Sequence, residues 1–229
     1  MITFAEVYER AVELLKDPHL SRSYYTNKIQ FQKEMYPFLR NGVSRITAPP
    51  SVAALLAEQQ GPEGKMEVFD GEGVATYMVS ATPPADAIIV FAIDKQVDET
   101  AIYDALTQTV TFSSVVPQGK VATMEWYSAG QFTGDFNSIR GKFSLKMLIG
   151  RVTDMLAQAV ALEWAMRERN SLLDGVLNNL TDTDFKVHSP AASLTAKREW
   201  VKEMRLELMN SQNKLDWDLR MTNRSTYGY

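Results

Sequence analysis

The 229-residue chain has no cysteine. That absence removes disulfides, zinc–thiolate sites, iron–sulfur clusters and thiol nucleophiles together. Histidine is almost as scarce. His19 and His188 stand far apart, with no HxxxH or HExxH spacing, so no metal site or catalytic dyad is indicated. Twelve glycines and nine prolines are too few for a collagen-like or low-complexity chain. The longest apolar run, Ala87 to Ile93, falls far short of the roughly 20 residues that a membrane-crossing helix needs. The opening Met1-Ile-Thr-Phe-Ala-Glu6 is acidic and polar where an export signal needs a basic end and an apolar stretch. The GxxxxGKS/T, GxGxxG and GxSxG patterns are also missing. These absences lead us to expect a chain made in a cytoplasm, with no membrane, metal or cofactor partner and no catalytic residues: not an enzyme.

What is present is ordinary material for a folded protein. Hydrophobic residues make up 45% and aromatics 10%, enough for a sizeable core at this length. A net charge of −4 argues against indiscriminate nucleic-acid binding. Asp182-x-Asp184 and Asp216-x-Asp218 look like fragments of cation loops, but neither has the glycine and distal glutamate of an EF-hand. They read as a turn cluster and a solvent-facing helix side. Asp70-Gly-Glu-Gly73 precedes no helix and so makes no phosphate cradle.

Hydrophobic periodicity divides the chain into three. Residues 1–60 read as helices. Phe4, Val7, Tyr8, Ala11, Val12 and Leu15 recur at helical spacing, behind a capping box of Thr3 and Glu6. Asp17-Pro18 stops that helix. A second helix carries Ile29, Phe31, Met35 and Phe38 and is kinked or ended near Pro37, and Ser51 caps a third through Val52, Leu55 and Leu56.

Residues 61–136 switch to period two. Met66–Phe69 and Val74–Ser80 read as strands joined by a hairpin turn at 70–73, with Ala87–Ile93 as a central strand. Thr109–Ser113 and Val121–Ser128 complete the set, separated by a turn at Pro117–Lys120. With no room for crossover helices, the reading is a small antiparallel β module.

Residues 137–229 return to helical spacing. Phe143, Met147, Leu148, Val152, Leu156, Ala159, Leu162 and Met166 form one stripe, followed by a shorter helix at 171–180 and a polar connector. In the last helix, Ala191 to Leu219, the residues Leu194, Val201, Leu208 and Leu215 recur every seven, with Trp200, Met204 and Trp217 nearby. Such a helix either lies across a bundle or pairs with a copy of itself. The fold class expected is α+β: a helical bundle built from residues 1–60 and 137–229, with the β module inserted.

Charge divides the same way. Between Lys65 and Asp135 there are three basic and ten acidic residues, a balance of −7 that leaves +3 for the remainder. Aromatics outside the helical stripes are numerous: Tyr24-Tyr25, Trp126-Tyr127, Phe132, Phe136, Tyr227 and Tyr229. Aromatics of this kind are enriched at interfaces, but most can equally be core or sheet-face residues, and for Trp126 the core is the favoured reading. The candidate interface residues are therefore Leu194, Val201, Leu208, Leu215 and the tail pair Tyr227 and Tyr229.

Two stretches carry a family resemblance. Pro83-Pro-Ala-Asp-Ala-Ile-Ile-Val-Phe91, Thr109-Val-Thr-Phe112, Val116-Pro-Gln-Gly119 and Trp126-Tyr-Ser-Ala-Gly-Gln-Phe132 together resemble a β module common in tailed-bacteriophage virion proteins. Asp184-Phe-Lys-Val-His-Ser-Pro-Ala-Ala-Ser-Leu194, leading into a charged helix, resembles the C-terminal helical part of phage neck or head–tail connector (adaptor) proteins. The resemblance implies a structural virion protein that forms a homo-oligomeric ring between portal and tail. Its partners would be copies of itself, portal and tail proteins, with DNA only as passing cargo. It supplies no catalytic residue. The competing expectation is a baseplate or fibre attachment module whose β module binds carbohydrate or another tail protein, with Trp126, Tyr127 and Phe132 stacking on sugars.

Overall fold

The computed structural model describes residues 1–141, 143–179 and 190–224, with side chains apart from those of 19, 172–179, 190–193 and 222–224. In chain order the elements begin with β1 (Ile2–Thr3), α1 (Phe4–Leu15), α2 (Pro18–Thr26), α3 (Lys28–Val43), α4 (Pro50–Ala57) and β2 (Gln59–Gln60). Strands follow: β3 (Glu63–Asp70), β4 (Thr76–Met78), β5 (Ile88–Ile93), β6 (Gln96–Val97), β7 (Ile102–Asp104), β8 (Thr109–Thr111), β9 (Val121–Ser128) and β10 (Gln131–Phe132). A 3-10 turn at Phe136–Ile139 leads to α5 (Leu145–Asn179) and α6 (Pro190–Arg224). The fold is mixed α+β. It divides into two compact units, one of residues 1–60 and 131–229, the other Gly61–Gly130.

In the helical unit the apolar stripes become the buried faces. All six stripe residues of α1 are buried, and Thr3 and Glu6 satisfy each other's backbone amides as a capping box. Asp17-Pro18 proves to be a start as well as a stop. Lys16 ends α1 in a left-handed conformation, and the Asp17 carboxylate accepts the Leu20 amide at the head of α2, a helix the periodicity does not announce. Pro37 lies inside α3 instead of ending it. The helix continues because Phe38, Leu39 and Gly42 extend its buried face. At Gly42 an added Cβ would stand 3.1 Å from the backbone of Ala159 and Val160, so the glycine is what lets α3 approach α5 this closely. Ser51 does not cap α4. The helix opens at Pro50, whose fixed φ suits a first helical position, and Ser51 falls within the first turn.

The long helix α5 is central, packed against α1, α3 and α6. It buries Leu148, Val152, Met155, Leu156, Ala159, Val160, Leu162 and Ala165, while Met147 stays exposed. The separate helix expected at 171–180 is instead the continuation of α5 through Asn179. The connector expected at 181–189 lies outside the described residues. Ion pairs Arg151–Asp218 and Lys197–Glu168 bracket α5 and α6 and fix them antiparallel. Gln212, buried on α6, ties down the segment before α4: its amide oxygen accepts from the Thr47 and Ala48 amides, and its amide nitrogen donates to the Arg45 carbonyl. Gln212→Leu keeps the volume and deletes all three bonds. We expect it to cost about 1–2 kcal/mol, read as a lower urea midpoint at unchanged slope.

The expected boundary at residue 136 moves to 130. Gln131–Phe132 pairs with both Ile2–Thr3 and Gln59–Gln60 in a three-stranded sheet of the helical unit, and the Phe132 ring lies 4.8 Å from that of Phe4. Phe136 is buried in the same unit.

The β unit is a sandwich of two antiparallel sheets, in the order β3-β9-β5-β6 and β4-β8-β7. Phe69 and Phe91 of the first meet Tyr77 and Phe112 of the second, around Val110, Val116, Ala122, Met124 and Trp126. The hairpin expected between β3 and β4 does not form. β3 pairs along its whole length with β9, and β4 pairs with β8. The 70–73 segment crosses between sheets, held by hydrogen bonds from the Gly71 amide to the Lys120 carbonyl and from the Gly73 amide to the Val116 carbonyl.

Candidate assembly surfaces

The heptad residues of α6 are spent inside the chain. Val201, Leu208 and Leu215 are each 3% exposed, and Leu194 is half-buried. They form the seam to α5 and are not a free interface. This corrects the candidate set, because a helix that lies across a bundle uses the same repeat that a self-pairing helix would. Tyr227 and Tyr229 lie outside the described residues, as do His188, Asp182 and Asp184. Asp216 pairs with Arg220, and Asp218 with Arg151.

Of the aromatics outside the helical stripes, most are interior, as the core reading of Trp126 expects. Trp126, Tyr127, Phe132, Phe136 and Tyr24 are buried; Tyr25, at 76% exposed, is the exception. Trp126 points with Ala122 and Met124 into the sandwich, as alternation along β9 requires. Phe132 belongs to the helical unit. The expected sugar platform of Trp126, Tyr127 and Phe132 is therefore not on the surface.

A different stripe is exposed. On α6, Leu206 (46% exposed), Trp217 (61%) and Met221 (44%) lie opposite the seam at about 100° per residue, with Met209 (50%) at its side. The regular leucine repeat obscures this second set in the sequence; the signal available there was Trp217, which fits no seam position.

Beside it, two small cavities follow one another along α5 and α6. One, about 190 Å³, is lined by Arg151, Asp154, Met155, Gln158, Ser211, Lys214 and Leu215. The other, about 210 Å³, is lined by Leu14 of α1, Gln158, and Trp200, Glu203, Met204 and Glu207 of α6. Gln158 borders both. Its Oε1 atom is buried and has no hydrogen-bond partner among the described residues.

The β unit concentrates negative charge. Gly61–Gly130 holds ten acidic residues against Lys65, Lys95 and Lys120, a balance of −7 against +3 for the helical unit. An open cleft of about 570 Å³ is lined by Asp94, Asp98, Glu99, Ser113 and Lys120, among others. Two of its carboxylates are engaged locally. Asp94 pairs with Lys120, and Asp98 accepts from the Thr100 and Ser113 amides and the Thr100 hydroxyl. Among the described residues no three His, Asp or Glu side chains are grouped to hold a metal ion.

Burial alone would raise the Asp98 pKa, but the bonds from Ser113 and Thr100 outweigh it and hold the carboxyl below its usual range. Glu67 behaves alike. Burial pushes it up, while the Ser80 amide and hydroxyl and the Lys65 ammonium pull it lower overall. A folded-state pKa below the unfolded value gives stability that is present above about pH 4 and lost as pH falls through the folded value. We therefore expect Asp98→Asn to lower the melting temperature of the β unit at neutral pH. The gap to wild type should narrow as both are titrated below about pH 4.

Comparison of the chain with protein-family models, curated proteins and solved structures finds no match.

Proposed function

We propose that the protein is a structural component of a tailed-phage virion, a head–tail connector or neck protein that forms a homo-oligomeric ring between portal and tail. One observation carries the reading. Helix α6 has two apolar faces, and only the Val201–Leu208–Leu215 face is used inside the chain. The Leu206–Trp217–Met221 face is left to solvent, with the tryptophan its most exposed member. Exposed tryptophans that anchor in a partner's pocket dominate binding energies. A face of this kind meeting a different surface on the next copy makes a heterologous contact, which closes into a ring when the rotation permits. The sequence resemblance to phage connector proteins supplies the virion context. The charge division fits as well, since a conduit for DNA is served by walls that do not grip phosphates.

The test is mass photometry and negative-stain imaging of the purified full chain, alone and with tailed-phage portal rings. We expect rings in one or both conditions. A chain that stays monomeric and ignores portal and tail proteins would refute the reading.

A further inference from the structure

We propose that Trp217 of one copy seats in the groove between α1 and α6 of a second copy, its indole N–H donating to Gln158, so that copies join head to tail. The inference rests on the ring reading above and names the two surfaces that meet.

Three observations carry it. The first is an unmet acceptor: Gln158 Oε1 is buried at the junction of the two cavities without a partner among the described residues. A buried acceptor left without a donor is costly, so its place in the groove marks where a donor is wanted. Trp217 supplies a donor and no acceptor, is 61% exposed, and has no hydrogen bond among the described residues.

The second is shape. The groove wall contributed by Leu14, Trp200 and Met204 is apolar, and a flat aromatic side chain fills such a slot at small entropic cost.

The third is charge. Among the described residues, the cavity bordered by Leu14 is lined by Glu203 and Glu207 and by no basic residue. Trp217 is followed one turn on by Arg220, whose side chain is 70% exposed although it pairs with Asp216 on its own helix. Docking would bring Arg220 of one copy to the glutamates of the next.

Trp217 does not reach the Leu14 end of the groove in its own chain: it stands thirteen residues from Met204 on the same rigid helix, about 20 Å along the axis and about 140° round it. In the proposed contact the occupant therefore comes from another copy. Because knob and groove are separate surfaces, each copy can receive one neighbour and engage another.

The experiment uses full-length chains that each lack one of the two surfaces. Trp217→Glu removes the knob, and Leu14→Glu spoils the groove; Glu207→Lys is a second groove variant should Leu14→Glu melt early. Thermal melts and circular dichroism check that each folds. Wild type is expected to assemble beyond the dimer. Each variant alone should be monomeric, with association weakened about thirtyfold or more. An equimolar mixture of knob-less and groove-less chains should form one-to-one heterodimers and stop, since one intact knob and one intact groove remain. Trp217→Phe, which keeps the ring and loses the donor, should assemble more weakly than wild type and more strongly than Trp217→Glu.

Folded variants that assemble like wild type overturn the docking and leave the ring reading standing. A mixture that forms no heterodimer, or a wild type that stops at the dimer, also overturns the head-to-tail contact. A wild type that stays monomeric, alone and on portal rings, overturns the ring reading and this inference with it.

Discussion

A Gly71→Ala variant is expected to lose the fold of its β unit while its helical unit stays folded. A Cβ at residue 71 would lie 1.9 Å from the Pro117 carbonyl oxygen and 2.8 Å from the Lys120 carbonyl oxygen, both main-chain atoms. No side-chain rotation relieves that overlap, so the 116–120 loop must move away. Doing so breaks the Gly71–Lys120 and Gly73–Val116 hydrogen bonds and withdraws Val116 from the sandwich core, where it is fully buried. Overpacking typically costs about 1–3 kcal/mol when side chains can yield. Here backbone must yield, and the loss should lie at or above the top of that range. Amide hydrogen exchange would show it: protection in β3, β5 and β9 collapses while protection in α1, α3 and α5 persists. Wild-type protection throughout Gly61–Gly130 would contradict the steric account.

Leu208→Ala should have the next largest effect, and on the stability of the single chain. Leu208 is buried in the α5–α6 seam, and truncating a buried leucine costs about 2–5 kcal/mol. For a chain of this size that is a drop of roughly 5–15 °C in melting temperature. Trp217→Ala on the opposite side of the same helix should leave the melt within about 1–2 °C, because the side chain is mostly in water. The pair separates the two faces: one variant moves the melt, the other moves assembly. If Leu208→Ala left the melt unchanged and Trp217→Ala lowered it, the assignment of faces would be reversed.

The helices were legible wherever a stripe ran long enough to show its period. The six-residue face of α1 and the capping box of Thr3 and Glu6 stand in the structure as the sequence lays them out. Helix α2 was not legible, because Pro18–Thr26 is short and mostly polar. In the β unit, strand positions were readable and strand partners were not. Alternation says which way Met124 and Trp126 point, but nothing local says that β3 must choose β9 over its neighbour β4. The β5–β6 hairpin escaped notice because its two-residue turn is Asp94-Lys95, both at positive φ, without the glycine or asparagine that usually marks such a turn. The candidate site was harder still. A leucine repeat reads the same whether it is buried at home or offered to a partner, and only burial in the folded chain distinguishes the two. The aromatic count misled at Phe132 and Phe136, interior residues that lie outside any regular stripe, whereas alternation along β9 already favours the core for Trp126.

The register Gln60↔Gln131 has an evolutionary corollary. Since the residues at which the polypeptide departs from the helical unit and rejoins it already sit opposite one another as strand partners, a tight turn could join them directly. The seventy residues Gly61–Gly130 form a cassette. Lineages could delete it, duplicate it or trade it for another without unpicking any helix, so the part of this protein freest to diversify is the acidic one.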